Sequence, residues 1–101
     1  GPEVRGVAAV VDAEGTLVGC ITDGDIRRRL LGTGNPLQDK AELIMGRNPK
    51  TIDKNELAVK ATFIMEQFSI QVLFVIDRQS SKPGEPLGVI TYQDLFRAKV
   101  R

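Results

Sequence analysis

A threonine followed three residues later by an aspartate occurs twice where it can do chemistry: Thr22-Asp23-Gly24-Asp25 and Thr91-Tyr92-Gln93-Asp94. Each follows a short apolar run, Gly19-Cys20-Ile21 or Gly88-Val89-Ile90, and each opens a stretch with helical spacing. A threonine hydroxyl at such a junction accepts from an orphan backbone N–H of the first helical turn, and a carboxylate there suits the positive end of the helix dipole. The pair therefore suffices as a near-capping box that only starts a helix. A nucleotide-binding reading uses the same geometry. Free N–H groups at a helix start attract a phosphate, the hydroxyl adds a donor, and the aspartate accepts from a ribose diol. On this second reading Thr22, Asp25, Thr91 and Asp94 are the candidate ligand-binding residues. Asp23 and Asp25 also hint at a metal, but two carboxylates at a helix start do not make a ligand set.

The two junctions belong to an internal repeat. Gly19 and Gly88, Thr22 and Thr91, Asp25 and Asp94, and Arg28 and Arg97 are each displaced by 69 positions (88 − 19 = 69). Upstream, two apolar runs closed by Asp12 and Asp77 match with a displacement of 65 (77 − 12 = 65), so the second intervening loop is four residues longer (69 − 65 = 4). Such a difference in loop length costs little.

Around the junctions the periodicity predicts strands over 7–11 and 17–21, a turn at Asp12 to Gly15, and a helix over 23–31 with Ile26, Leu30 and Leu31 on one face. Arg27-Arg28-Arg29 reads as a solvated face. Gly32-Thr33-Gly34-Asn35-Pro36 ends that helix. A helical turn at 41–45 and a brief strand at 50–52 flank Asn48-Pro49. Asp53 then reads as the N-cap of a helix, with Glu56 completing a capping-box pattern. Leu57, Ala58, Ala61, Ile64, Met65 and Phe68 give that helix an apolar face, with Phe63 also assigned to packing. Strands over 72–76 and 87–91 and a helix over 93–99 follow, with Leu95 facing inward as Ile26 should in the first copy. The second copy, residues 41–101, thus reads strand, helix, strand, strand, helix. The first, residues 1–40, shows only the last three, so an apolar sheet face there needs cover from elsewhere.

The chain of 101 residues supports one compact domain, and its net charge of +1 gives no electrostatic case for nucleic acid. No apolar run approaches the ~18 residues of a membrane span. The single cysteine, Cys20, falls in a predicted strand and reads as a buried, inert thiol, which fits a cytoplasmic location. The absence of histidine removes the commonest general base and zinc ligand. No nucleophile–base pair is visible, so the chain reads as non-catalytic, with no cofactor.

With both Gly-x-Ile-Thr-x-x-Asp motifs, the Asp-closed strands and Met45 to Pro49 in this order, the chain resembles a tandem cystathionine-β-synthase (CBS) domain pair, the Bateman module. The fold class implied is α+β, two pseudo-twofold β-α-β-β-α repeats, the first without its opening strand and helix. Gly19 to Arg28, Arg47 to Ile52, Leu57-Ala58-Val59 and Asp94 to Ala98 further resemble the C-terminal region of the arabinose 5-phosphate isomerase family. That family usually carries histidines where this chain has Thr91, Tyr92 and Gln93. The resemblance implies a regulatory module of a sugar-phosphate isomerase serving Kdo, lipopolysaccharide or capsule synthesis. An N-terminal sugar-isomerase domain would complete the parent chain, and homodimers would form through the CBS helices. The ligand implied is AMP, ATP or a nucleotide-sugar such as CMP-Kdo. In a nucleotide site Lys50, Thr51, Ile52 and Val72 would flank the base through backbone groups. A purely structural dimerisation module, or the CBS segment of a sugar-phosphate nucleotidyltransferase, are the alternatives.

Overall fold

The computed structural model describes residues 6–32, 34–35 and 37–100. Gly1 and Pro2, and Thr33 and Pro36 of the helix-ending loop, lie outside the described residues. The elements are β1 (Val7–Val11), β2 (Leu17–Thr22), α1 (Asp23–Leu31), α2 (Ala41–Ile44), β3 (Gly46–Arg47), β4 (Thr51–Asp53), α3 (Ala58–Phe68), β5 (Val72–Ile76), β6 (Gly88–Thr91) and α4 (Tyr92–Val100). The chain divides into two compact units, residues 1–49 and 50–101, instead of gathering on a single core.

The first unit holds a three-stranded antiparallel sheet in the order β1-β2-β3. Asp12 closes the β1–β2 hairpin by accepting from the amides of Glu14 and Thr16, both at 3.0 Å, while Gly15 takes φ 84°, where a side chain is disfavoured. Val7 stands opposite Thr22. β3 lies on the far side of β2, against Gly19 and Cys20. A Cβ on the buried Gly19 would run into the Met45 thioether and come within 3.1 Å of the Gly46 carbonyl. None of the hydrophobic residues of α1 is buried, and Ile26, expected to face inward, is 39% exposed. Among the described residues of this unit no helix other than the single turn of α2 lies against α1, so its apolar side has little to pack on.

The second unit repeats the hairpin. Val72 stands opposite Thr91, the pairing that the two displacements, 65 and 69, require of the counterparts of Val7 and Thr22. Here the third strand is β4, parallel to β5, and the order is β4-β5-β6. α3 and α4 cover one face. Ile52, Ala61, Met65, Leu73 and Leu95 form the buried cluster, with Ile64, Ile70, Val75 and Ile90 packed on it. Leu95 faces inward as expected.

Asp53 does not cap α3. It ends β4, and its carboxylate accepts from the amides of Asn55 at 3.1 Å and Arg78 at 2.9 Å. These bonds hold its carboxyl below the usual carboxylate range, the Arg78 amide most of all. The Glu56 amide turns back to the Asp53 carbonyl at 3.0 Å, so the chain makes a turn before helix can start, and Leu57 becomes the N-cap. Leu57, Phe63 and Phe68, assigned to packing, are exposed. Phe68 instead lies under the Lys50 ammonium, 4.3 Å from the ring centroid.

Candidate functional site

The first junction is built by local hydrogen bonds. The Thr22 hydroxyl accepts from the Asp25 amide at 3.3 Å, and Asp25 Oδ2 accepts from the Thr22 amide at 2.8 Å, a complete capping box. The hydroxyl donates to the same oxygen at 3.1 Å, and Arg28 Nη2 is bonded to Asp25 Oδ1. Asp23 accepts from the Gly6 amide at 3.1 Å. Both carboxylates that hinted at a metal are thus engaged, and among the described residues no acidic, cysteine or histidine cluster forms a metal site. Arg29 pairs with Asp39 at 2.7 Å. Arg27 and Arg28 match the solvated face that the sequence suggested, Arg28 with its side chain 72% exposed despite the Asp25 bond, whereas Arg29 is half-buried.

The second junction repeats the exchange. Asp94 Oδ2 accepts from the Thr91 amide at 2.9 Å, and the Thr91 hydroxyl accepts from the Asp94 amide at 3.3 Å. The Thr91 amide, then its hydroxyl, and last the charge of Arg97 hold the Asp94 carboxyl below its usual range against the opposing effect of burial. Asp94 is exposed, whereas Asp25 is half-buried. The arginine three residues after each aspartate was visible as Arg28 and Arg97 in the repeat. Its role beside the carboxylate was not, because a cation at that spacing also suits the solvent side of a helix.

The remaining candidates are sorted by sheet parity. Side chains alternate between faces. Ile52, Leu73, Val75 and Ile90 belong to the helix-covered face, so Lys50, two residues before Ile52, shares it and its ammonium reaches Phe68. Thr51, paired with Phe74, and Val72, paired with Thr91, lie on the opposite face. The starts of β4 and β5 and the end of β6 fall at one end of this sheet, which gathers Thr51, Val72, Thr91 and the first turn of α4. The backbone of β4 alternates as well. Phe74 donates to the Lys50 carbonyl at 3.2 Å and Lys54 to the Ile76 carbonyl at 2.8 Å, so even-numbered residues bond to β5 and the peptide groups of Thr51 and Asp53 turn to the open edge. Of the three β4-side candidates, Thr51 therefore turns its backbone to the strand's edge and its half-buried side chain to the face away from the helices, while Ile52 is buried.

Two concavities lie nearby in this unit. One of about 370 Å³ is lined by Met65, Glu66, Ser69, Ile70, Gln71 and Tyr92. Another, about 190 Å³, includes Ile52, Leu57 and Leu95. Neither is lined by Thr51, Val72, Thr91 or Asp94. Cys20, expected to be buried, is half-buried. Burial first, then the negative charge of Asp25, push its thiol pKa up, which keeps it protonated and unreactive at neutral pH. Among the described residues no helix is long and apolar enough to cross a membrane.

Comparison with known proteins agrees with this geometry. The CBS domain pattern matches residues 2–32 and 41–101. The chain is 36% identical over 98 residues to arabinose 5-phosphate isomerase KdsD of Francisella tularensis, covering 96% of this chain and 29% of that protein. It is 36% identical over 95 residues to the isomerase KdsD of Pseudomonas aeruginosa, of which it covers 28%. The chain thus spans less than a third of the length of these relatives. Among solved structures, the CBS domain pair of protein MJ0100, in complex with 5'-methylthioadenosine and S-adenosyl-L-methionine, superposes with a TM-score of 0.77 at 28% identity, covering 93% of this chain and 69% of that one.

Proposed function

The chain belongs to the CBS domain family as a tandem pair, homologous in part to arabinose 5-phosphate isomerases, and from that premise we propose that it senses a nucleotide or nucleotide-sugar for such an isomerase. It is a CBS module and not a catalytic domain, since the family pattern takes up nearly all of it. In this reading repeat one spans residues 1–40 and repeat two 41–101. The parent chain carries a sugar-isomerase domain and serves Kdo, lipopolysaccharide or capsule synthesis in the cytoplasm, and the module pairs with a second copy through its helices.

The observation that carries the reading is the second junction. An ionised Asp94 sits at the start of α4, at the same end of the sheet as the outward peptide group of Thr51. Asp94 accepts from the ribose hydroxyls. Thr91 and the α4 N-terminus hold the phosphate. Thr51, with the backbone of Lys50, Ile52 and Val72 around it, flanks the base. Thr22 and Asp25 play the same parts in repeat one, with Asp25 already bound by Thr22 and Arg28. The nucleoside ligands named for the MJ0100 pair support the ligand class, and the isomerase relatives support CMP-Kdo beside AMP and ATP as ligands to try.

A second reading, a module that only joins catalytic domains, is favoured by one observation: Leu30 and Leu31 of α1 are 63% and 82% exposed, a surface suited to docking. The alternative parent, a sugar-phosphate nucleotidyltransferase, has no such support. Calorimetric titration with AMP, ATP and CMP-Kdo decides between binding and joining. Saturable heat from any of them, with a ligand at about a hundred times its dissociation constant stabilising the fold by ~2.7 kcal/mol, supports sensing. On a chain this size that is on the order of 10–20 °C in melting temperature. No heat and no shift with all three leaves the joining module.

A further inference from the structure

The turn that leaves α3 is drawn tight. Ser69 takes φ 54°, and the Ile70 amide donates back to the Met65 carbonyl at 2.9 Å. The Gln71 carbonyl accepts from the Tyr92 amide at 2.9 Å, which ties the start of α4 to the same bend. Here lies the recess of about 370 Å³, with Met65 and Ile70 as its apolar lining and Glu66, Ser69, Gln71 and Tyr92 as its polar one. Among the described residues none of these four side chains is held by a hydrogen bond or an ion pair. Glu66 stands against the local field. It is in the last turn of α3, where the helix dipole is negative, and that turn holds no basic residue to offset it. The Lys50 ammonium, drawn to the same helix end, lies over the Phe68 ring, about 200° round the helix from Glu66. The positive start of α4 is answered by Asp94, which accepts from the Thr91 amide. The recess therefore keeps an unmatched negative charge beside an aromatic side chain and an apolar floor.

We propose that this recess binds a primary alkylammonium ion, such as one end of an aliphatic diamine. The alkyl stem lies on Met65 and Ile70. The ammonium is held by the Glu66 carboxylate and the Tyr92 ring, with the Ser69 hydroxyl and the Gln71 side-chain carbonyl as further acceptors. An anion would meet both Glu66 and the helix end with the wrong sign. A single carboxylate is a poor ligand set for a divalent metal, and among the described residues no acidic cluster adds to it. Thr51, Val72, Thr91 and Asp94 do not line the recess, so binding here does not depend on the nucleotide site proposed above.

The test is an NMR titration of the whole chain, following its backbone amides, with n-butylammonium chloride. Sodium chloride, n-butanol and sodium butyrate at the same concentrations are the controls. Butylammonium should give saturable shifts centred on residues 66–71 and 92, and the controls should give none there. Glu66→Gln should weaken binding roughly threefold to tenfold, and Tyr92→Leu roughly twofold to tenfold. Both side chains are exposed, so both variants should keep the fold, which the unchanged shifts of the remaining amides check. Equal shifts with butanol would mean an apolar recess only. Equal shifts with sodium, or an unchanged affinity in Glu66→Gln, would mean cations gathering on the surface at large. Either result, or no saturation with butylammonium, overturns the inference.

Discussion

The two units carry the same hairpin in the same register and the same threonine–aspartate exchange, yet among the described residues only the second has a cluster of buried side chains. Ala8 and Ala9 of β1 are exposed, whereas their counterparts Leu73 and Phe74 in β5 are buried. Ile26 is 39% exposed and its counterpart Leu95 only 9%. Among the described residues every buried hydrophobic side chain belongs to the second unit. The difference is that, among the described residues, α3 and β4 have no equivalents in the first. A capped helix after a hairpin needs only local hydrogen bonds, so it forms in both. Burial needs a second layer, and α3 supplies it once.

The sharpest way to break this comparison is to cut the same bulk from both units. Leu73→Ala should cost about 2–5 kcal/mol in denaturant unfolding, while Leu30→Ala should stay within about 0.5 kcal/mol. Equal losses would mean that the exposed face of α1 is covered in solution. For binding, Asp94→Ala should weaken a nucleotide by roughly ten- to a hundredfold, since a hydrogen bond to a charged carboxylate contributes about 1.5–3 kcal/mol. Asp25→Ala should weaken it less, because among the described residues the first unit has no counterpart of β4 to flank the base. Calorimetry on both variants checks the order, and a larger loss from Asp25→Ala would reverse the roles of the two units.

The repeat-related glycines give a finer contrast. A side chain on Gly19 meets Met45 and Gly46, whereas one on Gly88 meets nothing within 4 Å. Gly19→Ala should destabilise by about 1–3 kcal/mol as β3 is forced away, and Gly88→Ala by no more than about 0.5 kcal/mol. Thermal unfolding of the two separates them. The smallest effect is in acid. Asp53 and Asp94 are held below the ordinary carboxylate value of 3.8, mainly by the amides of Arg78 and Thr91. Each group's folded pKa is depressed, so its contribution is full above 3.8 and is lost as pH falls through the lower folded value. Asp53→Asn should flatten the acid side of the stability–pH curve. An unchanged slope would mean that these exposed bonds add nothing measurable.

The sequence by itself determined the repeat, the hairpins, α1 to the residue and the Thr–Asp pairs, because these are set by contacts between residues close along the chain. Thr22 and Asp25 meet whatever lies beyond them, and Asp12 turns its hairpin through its own neighbours. Asp53 escaped that logic. Its pattern with Glu56 fits a cap, but the Arg78 amide, 25 positions away, claims the carboxylate. Tertiary structure likewise decided that Lys50 and Thr51 point to opposite faces, since the strand's two faces acquire meaning only when β5 and α3 pack on it. It also placed β3 on β2 while β4 joined β5, one on each side of a hairpin that the repeat makes alike. Hydrophobic pattern marks a residue as able to be buried; only the presence of a second layer, as for Leu95 and not for Ile26, decides that it is.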